Sequence, residues 1–201
     1  MKKFVLGFVC GAVLTSTTAV YASSTIQAYL FPVTYQINHQ SKDTPSGYTT
    51  INYEGHAYVP IRFVAESLGL GIRYADRNNI IEIMKEPSSL DENAKKVWSV
   101  QYRLTNSQDQ SYVKELLGMP SIEQEEVWRY DLSPVDKYTW REIDHIDVHG
   151  LENGDLQAQI IIHWTPQQLI QDVEMWYTDQ EGHLMTYYLY QDGSTASALY
   201  E

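Results

Sequence analysis

Residues 58–83 read YVPIRFVAESLGLGIRYADRNNIIEI, and this stretch sets the fold of the first half of the chain. Tyr58 and Val59 end a strand. Pro60 suits the first position of a helix, where its missing N–H costs nothing. Ile61, Val64, Ala65 and Leu68 follow at i, i+3, i+4 and i+7, one apolar stripe of a helix. Gly69 stands where a left-handed residue ends a helix. Residues 72–83, with Ile81 and Ile83 alternating and a turn over Asp76 to Asn79, read as two strand pieces. Nothing in the stretch is catalytic in character; it is a folding signature.

Working toward the N-terminus, Tyr48–Tyr53 and His56–Val59 read as strands around an Glu54-Gly55 turn. Ser23–His39 is a first strand or hairpin arm, alternating through Ile26, Ala28, Leu30, Val33, Tyr35 and Ile37. Gln40–Gly47 (QSKDTPSG) is polar with Pro and Gly and reads as a loop. The first 22 residues have the pattern of a secretory signal peptide: Lys2 and Lys3, an apolar run Phe4–Leu14, and small residues before Ser23. Its removal leaves no cysteine, since Cys10 is the only one. Disulfides and thiolate chemistry are thereby excluded, and about 180 residues must fold on an ordinary apolar core. The expected protein is secreted, extracellular or held at the cell envelope, with no transmembrane segment once the signal is gone.

Losing Lys2 and Lys3 takes the formal net charge from −12 to −14. Such a surface disfavours nucleic acid, whose affinity for proteins comes largely from Lys and Arg neutralising phosphates.

Tyr53, Gly55, Tyr58, Val59, Pro60, Ile61, Arg62, Phe63, Val64, Ala65, Glu66, Leu68 and Gly69, followed by Tyr74, Asp76, Ile81 and Ile83, make a pattern similar to the copper amine oxidase N-terminal (stalk) domain. The resemblance covers residues 25–84, with Tyr58, Pro60, Arg62, Glu66 and Gly69 as its signature. It implies a small antiparallel sheet wrapped on one helix, an appendage of secreted bacterial proteins that does not itself oxidise amines. Asn52-Tyr53-Glu54 coincides with the tripeptide that matures into the oxidase quinone, but it lies inside the stalk pattern. Copper also needs three imidazoles, and the chain has no His-x-His pair. No copper or other cofactor is expected.

Beyond the linker-like Glu86–Asp91, Leu90, Ala94, Val97, Trp98 and Tyr102 share a helical face. Tyr112, Val113, Leu116 and Leu117 form a second helix, stopped by Gly118 and Pro120. From Glu125 onward the pattern is sheet-like: 127–132, 140–148, 156–164, 173–178 and 184–190. Residues 112–130 resemble the helix–Gly-x-Pro-Ser–strand passage of BamE/SmpA-like and β-lactamase-inhibitor-protein-like domains, a likeness that extends over 90–195 and implies an interaction module. The lipidated cysteine of the lipoprotein members is missing here. The expected organisation is α+β: a signal peptide (1–22), a stalk-type domain (23–85), and a two-helix plus antiparallel-sheet interaction domain (86–201).

Three constellations are candidates for chemistry or binding. His145, Asp147 and His149, at i, i+2 and i+4, would share one face of a strand and are suitable zinc ligand types. Parallel side chains about 6.5–7 Å apart do not converge on one ion, so a solvated strand face is the stronger reading. Carboxylate pairs abound among 26 Asp and Glu residues, but no elbow, phosphate loop or dinucleotide motif accompanies them, and no enzyme is expected. The aromatics stand out: 16 Tyr and five Trp, concentrated in the second half. Alternation puts Tyr188 and Tyr190 on one face of their strand and Tyr187 and Leu189 on the other. Trp128, Tyr130, Trp176, Tyr188 and Tyr190 are the candidate binding residues, weighed against the plain preference of Tyr and Trp for sheets. The function expected is a non-catalytic accessory protein that binds a protein partner. A cell-wall glycan module and an inhibitor of a secreted hydrolase are the alternatives.

Overall fold

In the computed structural model, residues 25–75, 80–88, 91–135 and 138–200 are described. The signal-peptide segment, the turn over 76–79 and Leu90 lie outside them. The packing sorts the described residues into two compact units, 25–33 with 49–59, and 34–48 with 60–200.

The smaller unit is a three-stranded antiparallel sheet in the order β1–β4–β5: β1 (Tyr29–Leu30), β4 (Ile51–Tyr53) and β5 (His56–Tyr58). Glu54 and Gly55, at φ 51° and 82°, form the tight turn between β4 and β5, and Asn52 Oδ1 accepts from the Gly55 N–H. Both central residues at positive φ match the right-handed twist of the flanking strands. Tyr58, of the stalk signature, is half exposed in β5 and its ring centroid lies 6.0 Å from that of Tyr53.

The larger unit begins with a hairpin, β2 (Tyr35–Ile37) and β3 (Gln40–Lys42). Residues 40–42, expected in a loop, are thus a strand. Asn38 and His39 take left-handed φ of 52° and 63° and close the turn two residues earlier than composition suggests. Helix α1 (Ile61–Ser67) follows. Pro60 is its N-cap, one position before the expected one, with its carbonyl accepting from the Val64 N–H. Gly69, at φ 72°, ends it and donates to Glu66 O. The buried residues are Phe63 and Ala65, whereas Ile61 and Leu68 of the expected stripe are exposed. The reason is Phe63, whose ring meets Tyr35 edge-on at 4.9 Å and Tyr48 at 6.2 Å. In so short a helix the largest side chain sets which face turns inward. Arg62 donates to Ile72 O and lies 3.7 Å from Glu66, so the two charged signature residues brace the helix against the next strand.

That strand, β6 (Leu70–Ala75), pairs with β7 (Ile80–Lys85) from Leu70↔Lys85 to Ala75↔Ile80. Arg73 grips Glu82 across the pair through Nε and Nη2 at 2.9 and 2.6 Å, and its Nη1 donates to Ser197 Oγ at 2.8 Å. Gly71 admits helix α2 (Glu92–Arg103): a Cβ there would lie 2.5 Å from Tyr102 Cβ and 2.6 Å from Trp98 Cζ2. The hairpin therefore packs onto residues on both sides of position 85/86.

Helices α2 and α3 (Gln110–Leu117) begin at Asp91 and Asp109, whose carboxylates accept from the first free N–H groups of each helix. They cover one face of a six-stranded antiparallel sheet in the order β13–β12–β11–β10–β9–β8. Its strands are β8 (Ile122–Glu123), β9 (Val127–Leu132), β10 (Ala158–Trp164), β11 (Ile170–Thr178), β12 (Leu184–Leu189) and β13 (Thr195–Leu199). The core lies between, with Val100, Val113 and Leu117 against Trp128, Ile160, Ile162, Met175 and Tyr187. The architecture is mixed helix and antiparallel sheet, with four helices among the described residues.

Residues 140–148, expected to be a strand, are irregular up to Asp147, which caps a short helix α4 (Val148–Glu152) by accepting from the Gly150 N–H. The edge strand β13 has no counterpart in the sequence reading; its Ser and Ala residues carry little strand signal.

Candidate functional site

Strand alternation gives the sheet a second face, away from α2 and α3. Its cross-strand rows are Ile161–Glu174–Tyr188–Ala196 and Gln159–Trp176–Thr186–Ala198. His163 and Asp172 pair in a third row. This face is divided into a covered part and an uncovered part.

Residues 138–152 cover β9 and β10. Arg129, 1% exposed, donates to the carbonyls of Glu142 and Trp140 and pairs with Asp131 at 2.8 Å. Gln159 donates to Asp131 and accepts from the Asp147 N–H, and Tyr138 donates to Asp147 at 2.6 Å. Burial and the Asp147 hydrogen bond push the Tyr138 phenol well above its ordinary range. At the margin of this cover, His163 stands between Asp172 (Nδ1, 2.6 Å) and Asp144 (Nε2, 2.8 Å). Burial opposes the imidazolium, but the hydrogen bonds to the two carboxylates outweigh it and raise the His163 pKa. Both ring nitrogens are engaged, so neither is left to activate a nucleophile.

Beyond His163 no described element of this unit covers the outer face of β11–β13, where Glu174, Trp176 and Tyr188 are half-buried and Tyr190 and Tyr200 exposed. Trp176 and Tyr200 lie with ring centroids 4.6 Å apart, and Tyr188 stacks on Tyr190 at 6.0 Å and 12°. Glu174 sits between the two pairs: its Oε1 accepts from Trp176 Nε1 at 2.8 Å and from Tyr188 OH at 3.1 Å. Partial burial, and then the Glu174 charge, raise the Tyr188 pKa, so the phenol stays protonated and keeps its single O–H on Glu174. Ala196 and Ala198 flank the aromatics on β13 and leave the strip standing above its neighbours. Asp172, Glu174, Tyr188, Tyr190 and Asp192 line a shallow depression of about 610 Å³ beside it.

The structure thus brings together three of the five candidate binding residues, Trp176, Tyr188 and Tyr190. Trp128 and Tyr130 are corrected: they face the helices and are 1% and 2% exposed. Trp128 packs edge-on against Trp164 under Lys114, and Tyr130 donates to Gly118 O, so both are core residues. Along β9, Trp128, Tyr130 and Leu132 share one face and Arg129 and Asp131 the other, and local spacing does not say which of the two faces the helices cover. His145, Asp147 and His149 do not share a strand face. His145 is exposed in the irregular segment, Asp147 is the buried cap, and His149 lies on α4, so the spacing for a metal trio is not formed. Among the described residues no group of three or more His, Cys, Asp or Glu is placed to hold a metal ion. Glu174 and Tyr200 were not singled out as binding residues. Glu174 was one acid among many, and Tyr200 follows a strand without a recognisable pattern. Comparison with protein-family models, curated proteins and solved structures finds no match to this chain.

Proposed function

We propose that this chain is a secreted, non-catalytic bacterial accessory protein. It binds a protein partner at the cell envelope through the outer face of β11–β13. The observation that carries the reading is the strip Tyr190–Tyr188–Glu174–Trp176–Tyr200, aromatic groups standing on a rigid sheet whose opposite face is fully packed. Large aromatic rings held by a scaffold lose little entropy on binding and are the usual anchors of protein interfaces. The pattern Tyr58–Gly69 supports a stalk-type module over 23–85, and the strip on β11–β13 supports 86–201 as the interaction domain.

A protein partner suits the strip better than a sugar ring. Trp176 is tilted 53° to Tyr200 and its N–H is committed to Glu174, so the pair offers no single flat platform. Relief and a central carboxylate favour interdigitating side chains. No long apolar helix capable of crossing a membrane occurs among the described residues. The test is retention of envelope proteins by immobilised wild type against Tyr188→Ser/Tyr190→Ser, with purified peptidoglycan as a parallel arm. Loss of one protein with the double variant supports the reading. Retention on peptidoglycan that depends on the same tyrosines would transfer the site to glycan.

A further inference from the structure

We infer that the depression beside the strip receives a cationic side chain of the partner, a guanidinium fitting it best; this rests on the protein-binding reading above. Its lining includes Asp172, Glu174 and Asp192 with the rings of Tyr188 and Tyr190, and no described Lys or Arg borders it. Asp172 bonds to His163, but Glu174 and Asp192 have no basic partner among the described residues, and they are costly to cover with an apolar or acidic partner, because each would lose water and gain nothing. A basic group reverses that balance.

The oxygens point the same way. Glu174 uses Oε1 for Trp176 and Tyr188, and Asp192 uses Oδ1 for the Ser194 N–H. Glu174 Oε2 accepts no hydrogen bond from the described residues, and Asp192 is held only from within its own turn, by Ser194. The bonds from Ser194 hold the Asp192 carboxyl below the usual carboxylate range, so it is ionised at neutral pH. Asp172 is partly spoken for by His163 and Gln171. The stacked Tyr188–Tyr190 pair supplies aromatic surface of the kind on which a guanidinium plane lies while its N–H fork reaches a carboxylate.

The experiment is an NMR titration of the labelled protein with two synthetic probes, acetyl-Gly-Arg-Tyr-Arg-Gly-amide and the same peptide with Glu in place of both Arg. The expected result is saturable shifts at Tyr188, Tyr190 and Asp192 with the arginine probe alone. Glu174→Gln with Asp192→Asn should weaken binding about tenfold, the scale of losing charge-assisted contacts. Gln at 174 still offers an oxygen to Trp176 and Tyr188, so the fold is spared. Glu115→Gln, on α3 across the sheet, should leave binding unchanged. Equal shifts with both probes overturn the cationic preference and leave the face reading standing. No shift with either, or shifts confined to α2 and α3, overturns the inference. The protein-binding reading then stands or falls separately on the Tyr188→Ser/Tyr190→Ser retention assay.

Discussion

Replacing Arg129 by Met tests how the covered and uncovered parts of the sheet are kept distinct. The Arg129 side chain is 1% exposed and that of its partner Asp131 8%. It also holds the carbonyls of Glu142 and Trp140, so one residue both neutralises a buried acid and ties down the irregular segment. Met fills the volume of the aliphatic stem but leaves Asp131 charged with only Gln159 as donor. Breaking a buried pair from one side costs about 3–5 kcal/mol. Urea unfolding followed by tryptophan fluorescence should show a loss in that range, with faster amide exchange across 138–147. Adding Asp131→Asn to Arg129→Met removes the orphaned charge and should restore ~1 kcal/mol or more, a coupling that only a direct interaction produces. A loss below about 1 kcal/mol with unchanged exchange would refute the reasoning.

Three further outcomes are expected. Tyr187→Ala should cost about 3–5 kcal/mol and Tyr190→Ala under ~1 kcal/mol, since one ring is in the core and the other is 43% exposed; thermal melts check this. Gly71→Ala should destabilise by about 1–3 kcal/mol, because its methyl meets Trp98 and Tyr102, and one cooperative transition should shift as a whole if the β6–β7 hairpin folds with α2. His163 has a raised folded pKa, so its contribution is fully present below its unfolded value of about 6.5 and is lost as pH rises through the folded one. Stability profiles of wild type and His163→Gln should therefore converge toward high pH and diverge below neutrality.

The elements that sequence specified best are those with local punctuation. Helix α1 stands between Pro60 and Gly69, α3 between Asp109 and Gly118, and the β4–β5 turn is at Glu54-Gly55. The pairing of Tyr187 and Leu189 against Tyr188 and Tyr190 was legible because a strand has period 2. What local pattern could not convey was decided by tertiary contacts. Residues 140–148 alternate like a strand, yet Arg129 and Gln159 engage their backbone, and Asp147 leads into a helix. Trp128 and Tyr130 look like Trp176 and Tyr188 in sequence; only which face the helices cover separates them. The placement of Glu174 between two aromatic pairs depends on register across β11, β12 and the chain end, which spacing along one strand does not encode.

The most direct test of the aromatic face is hydrogen–deuterium exchange of the protein bound to the partner retained from the envelope fraction. Slowed exchange in β11, β12 and β13, with α2 and α3 unchanged, is the expected result. Protection confined to the helices, with the three strands exchanging as in the free protein, would contradict it.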